Sequence, residues 1–174
     1  LIRMAAQELR ISSEDATQVD ETILGRFLTA YIVSTGNYTA FMSGDESGEP
    51  LSDLVFNRQS AIIRKLAEKG PGIFVGRCAD YALEDNPELL SVFIHANMDA
   101  RIRRIARDFD LTDAKAKDLI KKTDKRRSSY YNYYTCKKWG DSRSYDLTLN
   151  TSKITPEACV DIILDFRKKM EQKK

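Results

Sequence analysis

The chain has 174 residues, 42% hydrophobic and 31% charged, with a net charge of +2. That length suits one domain, or a domain with a small appendage, and the balance excludes disorder, collagen-like repeats and a disulfide scaffold. No apolar run approaches the ~20 residues that a membrane-spanning helix needs, and no signal-peptide pattern opens the chain.

Three cysteines, Cys78, Cys136 and Cys159, stand far apart with no CxxC pair. That spacing fits reduced thiols of a cytoplasmic protein, not a metal site. A single histidine, His95, removes His-based metal clusters and most Ser-His or Cys-His catalysis. The charge is uneven. Residues 1–60 sum to −5, whereas residues 101–127 carry 11 basic and 5 acidic side chains. Such a block suits an anionic ligand, or else the solvated face of a helix pair. Leu1 is no translation start, so an upstream segment is expected.

In chain order, residues 1–42 read as helix. Leu1-Ile2, Ala5-Ala6 and Leu9 recur on one face, and Ser12/Ser13 resemble the N-cap of a second helix carrying Val19, Ile23, Phe27 and Tyr31. Residues 43–50 read as an acidic loop. Asp53 is expected to cap a helix bearing Phe56, Ile62, Ile63, Leu66 and Ala67, stopped by Gly70-Pro71. Two apolar runs, Ile73-Phe74-Val75 and Leu90 to Ile94, predict buried parallel strands. Helical patterns follow from Met98 to about Asp108 and from Thr112 to about Tyr131. Tyr145 to Leu149 predicts a third strand. Thr155 with Pro156 then opens a last helix with Ile162, Ile163 and Phe166 on its buried face and a frayed tail from Lys168. This order predicts an α/β fold, an open parallel sheet with flanking helices.

In such sheets the ligand lies beyond the carboxyl ends of the strands. After the first predicted strand comes Gly76-Arg77-Cys78-Ala79-Asp80. The glycine permits a sharp turn, and Arg77 can grip a phosphate through two parallel hydrogen bonds. Asp80 could orient that arginine or meet a sugar or base; a plain surface Arg–Asp pair is the alternative. His95 reads as a satisfied, half-buried strand end.

Arg101 and Arg104 fall on one helical face while Ile102 and Ile105 share another, and Asp124 and Arg127 share a face of the next helix. Converging arginines suit phosphoryl transfer, where charge on the transferring oxygens must be neutralised. The same residues could instead grip a nucleic-acid backbone, but five interspersed acids weaken that reading. Tyr130-Tyr131-Asn132-Tyr133-Tyr134 and Trp139 fit the packing of a helix end against a sheet, with base stacking as the other use.

These segments, with Phe93-Ile94-His95-Ala96, Arg101-Ile102-Arg103-Arg104-Ile105, Asp124-Lys125-Arg126-Arg127 and Tyr145 to Thr151, resemble the cytidylate kinase-like family of P-loop nucleoside monophosphate kinase relatives. The resemblance is strongest from about residue 55 to 165. It implies one domain over 1–174: a three-layer parallel-sheet core, a helical acceptor flap at about 12–55 and a LID-like helix pair at about 98–131. It implies that Arg77 binds the acceptor phosphate and that Asp80 assists at sugar, base or hydrated magnesium. Arg101 and Arg104 would lie on the ATP side, with Asp124 and Arg127 closing from the LID. Arg104 and Arg127 would be the catalytic members. The implied partners are ATP with Mg²⁺ and a nucleoside monophosphate, with no nucleic acid and no membrane; a homodimer is conceivable through residues 130–145.

The family opens with a strand and a glycine-rich phosphate loop, and no GxxxxGK[ST] segment occurs in these 174 residues. Asp80 also stands three residues after Arg77, where cytidylate kinases proper place the acid directly after the arginine. The expectation is therefore a cytidylate-type kinase, active when full length, that lacks its N-terminal phosphate loop in this chain. The rival is a non-catalytic nucleotide-binding regulatory domain that has lost its ATP site.

Overall fold

The computed structural model describes residues 1–10 and 50–172. The expected second helix, with Val19 to Tyr31, and nearly all of the acceptor flap and acidic loop lie outside the described residues. The elements are α1 (Ile2–Leu9), α2 (Leu51–Glu68), α3 (Ala79–Ala82), β1 (Val92–His95), α4 (Met98–Asp108), α5 (Asp113–Thr135), a 3₁₀ turn (Ser142–Ser144), β2 (Leu147–Asn150) and α6 (Pro156–Gln172). They divide into two compact units, residues 1–87 with 126–136, and residues 88–125 with 137–174. No described helix is long and apolar enough to cross a membrane.

The first unit is built on α2. This helix begins two residues before Asp53, because Pro50 takes the N-cap and its carbonyl accepts the Asp53 and Leu54 amides at 2.9 and 3.1 Å. Asp53 thus sits in the first turn, where a carboxylate suits the helix dipole, and not at the cap as its type suggested. Val55, Phe56, Gln59, Ile62 and Ile63 form the buried stripe at the 3–4 residue spacing of a packed helix. Ala5 and Ala6 of α1 are buried in the same unit, small enough to let a neighbouring helix approach closely.

The last two turns of α5 pack on α2. Tyr134 stacks on Phe56 with ring centroids 3.9 Å apart and planes 8° from parallel, and Tyr130 meets the same ring edge-on at 6.3 Å. The tyrosine cluster therefore packs helix on helix, not helix on sheet. The Tyr134 hydroxyl also donates to Asp53 Oδ1 at 3.0 Å.

Ile73-Phe74-Val75 is not a strand. Ile73 and Val75 are 95% and 85% exposed. Apolarity alone does not make a strand: its amides and carbonyls need a hydrogen-bonded neighbour, and among the described residues this segment has no ladder partner.

The second unit carries the sheet, two parallel strands with Val92 opposite Leu147 and His95 opposite Asn150. Both strands start later than the apolar pattern suggested, and hydrogen bonds at Ser91 and Asp146 explain why. The Asp146 carboxylate accepts from the Ser91 amide and hydroxyl, both at 2.8 Å, and the Ser91 carbonyl accepts the Asp146 and Leu147 amides. That exchange fixes the register at the strand entrance. At the other end the His95 carbonyl accepts from the Thr151 amide and hydroxyl at 2.9 and 3.2 Å. His95 itself is exposed, not half-buried.

Phe93 stands between Trp139 and Tyr145, at ring separations of 5.4 and 4.9 Å. Gly140, at φ +76°, is so close that an added Cβ would lie 3.2 Å from the Phe93 ring, so both backbone and space demand glycine. Thr155 caps α6 as expected, its Oγ1 accepting the Ala158 amide at 3.2 Å. Cys159 is buried and Ile163 and Phe166 half-buried, but Ile162 is exposed. It stands one residue off the 159–163–166 stripe, about 100° around the helix. Lys168 lies within the helix rather than in a frayed tail.

Candidate functional site

In the first unit the site centres on the turn before α3. Gly76, Arg77 and Cys78 all have positive φ, at 68°, 59° and 51°. Glycine adopts that region freely, but each of the two others pays about 1–2 kcal/mol. The turn is held from both sides. Cys78 and Ala79 are buried, and burial, with Asp80 adding to it, pushes the Cys78 thiol up to about 12. The Tyr130 phenol is likewise raised, chiefly by burial.

Asp80 does not face solvent alone. The hydroxyl of buried Tyr131 donates to its Oδ2 at 2.6 Å, in the short range of charge-assisted bonds. Arg64 Nε donates to the Ala82 carbonyl at 2.9 Å and so ties the far end of α3 to α2.

Arg77 is half-buried and opens onto a shallow groove of about 390 Å³ lined by Leu1, Arg3, Val75 and Arg77. Arg3 was not singled out in the sequence. It lies 74 residues from Arg77 with no motif linking the two, and only the packing of α1 in this unit puts both on one groove. Two guanidinium groups beside small apolar surfaces suit an anion such as a phosphate ester.

In the second unit Arg101 and Asp124 meet. Arg101 donates from both terminal nitrogens to the two carboxylate oxygens, each at 2.7 Å, and both side chains are partly buried. The Asp124 hydrogen bonds raise the Arg101 pKa further above its ordinary value. Sequence spacing had set Asp124 beside Arg127 on one helix; its bidentate partner is Arg101 of α4. Arg104 is exposed and pairs with Asp108 one turn on, at 3.5 Å. The neighbouring Arg107, more than Arg104, holds the Asp108 carboxyl below its usual range. Arg127 is exposed on α5. Among the described residues no group of three or more His, Cys, Asp or Glu could hold a metal ion.

The arrangement is that of an α/β protein with an arginine presented at a tight turn and a second arginine locked to a helix carboxylate. The cytidylate kinase-like family matches residues 1–153, and the chain belongs to that family. It is 33% identical over 76 residues to a cytidylate kinase of Halobacterium salinarum, covering 44% of this chain and 40% of that one. It is 37% identical over 76 residues to a cytidylate kinase of Sulfolobus acidocaldarius, covering 43% and 41%. The matches thus span about two fifths of those curated relatives. A crystal structure of an uncharacterized protein from Eubacterium ventriosum superposes with a TM-score of 0.64 at 36% identity, covering 66% of this chain and 65% of that one.

Proposed function

We propose that this chain is the acceptor-binding and LID-bearing part of a nucleoside monophosphate kinase of cytidylate type. The fold class we assign is the three-layer P-loop kinase fold, with the LID-like pair at about 98–131. The observation that carries the reading is the Gly76-Arg77-Cys78 turn, which spends conformational energy to hold one guanidinium on an open groove. Strain of that kind concentrates at ligand sites. The two cytidylate kinase relatives support cytidylate as the acceptor.

In this reading Arg77, with Arg3 beside it, binds the acceptor phosphate. Arg101 and Arg104 serve the ATP side, and Asp124 and Arg127 close from the LID, binding the acceptor and spanning the two phosphates. Mg²⁺ would arrive on the phosphates of ATP and supply charge neutralisation there, as such ions are held mostly by phosphate and water. The protein's own part is to position two phosphates and to neutralise their charge.

Isothermal calorimetry of this chain with CMP, and separately with ATP–Mg²⁺, tests the reading. Micromolar CMP binding is the expected result. CMP binding without ATP binding, persisting in any longer form of the protein, would favour the non-catalytic nucleotide-binding domain. If neither nucleotide binds to any form, the kinase reading is wrong.

A further inference from the structure

Two non-glycine residues in the left-handed region persist only where the surroundings hold them there. At Arg77 and Cys78 the restraint comes from two directions. The Cys78 side chain is buried at 4% exposure, and Asp80, two residues on, is fixed by the Tyr131 hydroxyl at 2.6 Å. Tyr131 is itself 6% exposed, and its carbonyl accepts the Thr135 hydroxyl at 2.7 Å. The phenol is thus a rigid donor from the end of α5, 51 residues away in sequence. Arg64 pins the other end of α3, so the four-residue helix after Arg77 is clamped at its first turn and at its last carbonyl.

We propose that Tyr131 is a positioning residue for Arg77, acting through Asp80. In this proposal the Asp80 carboxylate is an anchor for the phosphate-gripping turn and not a ligand of sugar, base or magnesium. Its Oδ2 accepts a short bond from a buried donor, and that bond holds the carboxylate, and with it the turn, in place. The inference rests on reading Arg77 as a phosphate ligand.

The test is calorimetry of the whole chain with inorganic pyrophosphate and with CMP, beside thermal unfolding of each variant. Tyr131→Phe and Asp80→Ala should each weaken pyrophosphate binding about tenfold, the scale of losing one hydrogen bond to a charged group. The double variant should lose no more than either single one. Asp80→Asn should bind nearly as the parent does, because its amide oxygen still accepts from the phenol. Rescue by that conservative change separates positioning from direct charge contact.

The proposal is overturned if Asp80→Asn loses CMP as badly as Asp80→Ala while Tyr131→Phe binds normally, since Asp80 then touches the ligand. It is overturned equally if Tyr131→Phe lowers the melting temperature but leaves both affinities unchanged. Should Tyr131→Phe fail to fold, the contrast between Asp80→Asn and Asp80→Ala decides. If pyrophosphate binds and CMP does not, the nucleotide reading falls and the variants still judge this one. If neither binds, both fall.

Discussion

Arg77 in the first unit and Arg101 in the second are both arginines set beside a helix, yet their surroundings are opposite. Arg77 is carried on a strained turn with buried neighbours and opens on a groove shared with Arg3. Arg101 has its guanidinium engaged, two bonds of 2.7 Å to Asp124. One position is set by a strained backbone beside a groove; the other is set by a carboxylate fork. At the second an anion must compete with a carboxylate fork of two 2.7 Å bonds. Arg101 thus reads as a residue whose charge becomes available only when the fork opens.

The sharpest way to break that comparison is to delete each arginine in turn. Arg77→Ala should weaken CMP binding by about 10²–10⁴, the loss expected for two charge-assisted hydrogen bonds at about 1.5–3 kcal/mol each. Arg101→Ala should weaken CMP by less than tenfold and chiefly lower stability, since it leaves the partly buried Asp124 uncompensated. Calorimetry and thermal unfolding on the same samples check both. Equal losses of affinity would show that the two arginines are not differently prepared.

The next effect is on stability alone. Phe56 lies 8% exposed beneath Tyr81, Tyr130 and Tyr134, so Phe56→Ala should cost about 3–5 kcal/mol, as for a large ring removed from a packed core. In the second unit α4 has no fully buried residue, and Ile102→Ala there should cost less than half as much. Urea unfolding of both variants measures the difference. If Ile102→Ala proved as costly as Phe56→Ala, the contrast between a dense core and a lightly buried helix would be lost.

Much of this was legible in sequence where one local rule governed. Met98–Asp108 came out at its expected bounds because its Ile102 and Ile105 stripe repeats at helical spacing. The Thr155-Pro156 start of α6 followed from cap chemistry. The parallel pairing of Val92–His95 with Leu147–Asn150 followed from apolar runs separated by helices. What failed depended on partners far along the chain. Ile73 to Val75 has the composition of a strand but no described neighbour to pair with. Asp124 and Arg127 share one helix as their spacing predicts, but that spacing says nothing of the fork Asp124 makes with Arg101 of α4. Tyr134 meets Asp53 across 81 residues, and Tyr131 meets Asp80 across 51. No periodicity encodes such a meeting. The candidate site was legible as a set of residue types and illegible as a set of pairs.

The smallest effect near neutral pH separates the units by titration. Burial, then the Asp80 carboxylate, lifts the Cys78 thiol from 9.0 to about 12, with Arg77 opposing weakly. Its folded pKa lies above its unfolded one, so the fold gains from keeping this proton at any pH below about 9. The gain is lost as the pH rises from about 9 to about 12. Over that window wild type should lose stability faster than Cys78→Ala, by about 1.4 kcal/mol per pH unit. The second unit titrates at the other extreme. Arg143 bonds hold the Asp141 carboxyl down to about 2, so that contribution survives above its unfolded value near 3.8 and fades as the pH falls toward 2. At pH 8 the depressed thiolate fraction should also leave Cys78 about 10³-fold less reactive to iodoacetamide than an ordinary thiol. Exposed Cys136 should label readily. Peptide mapping after timed alkylation reads the two cysteines separately. Prompt labelling of Cys78 would mean that the turn carrying Arg77 opens freely in solution, and the distinction between a held arginine and a neutralised one would no longer describe this molecule.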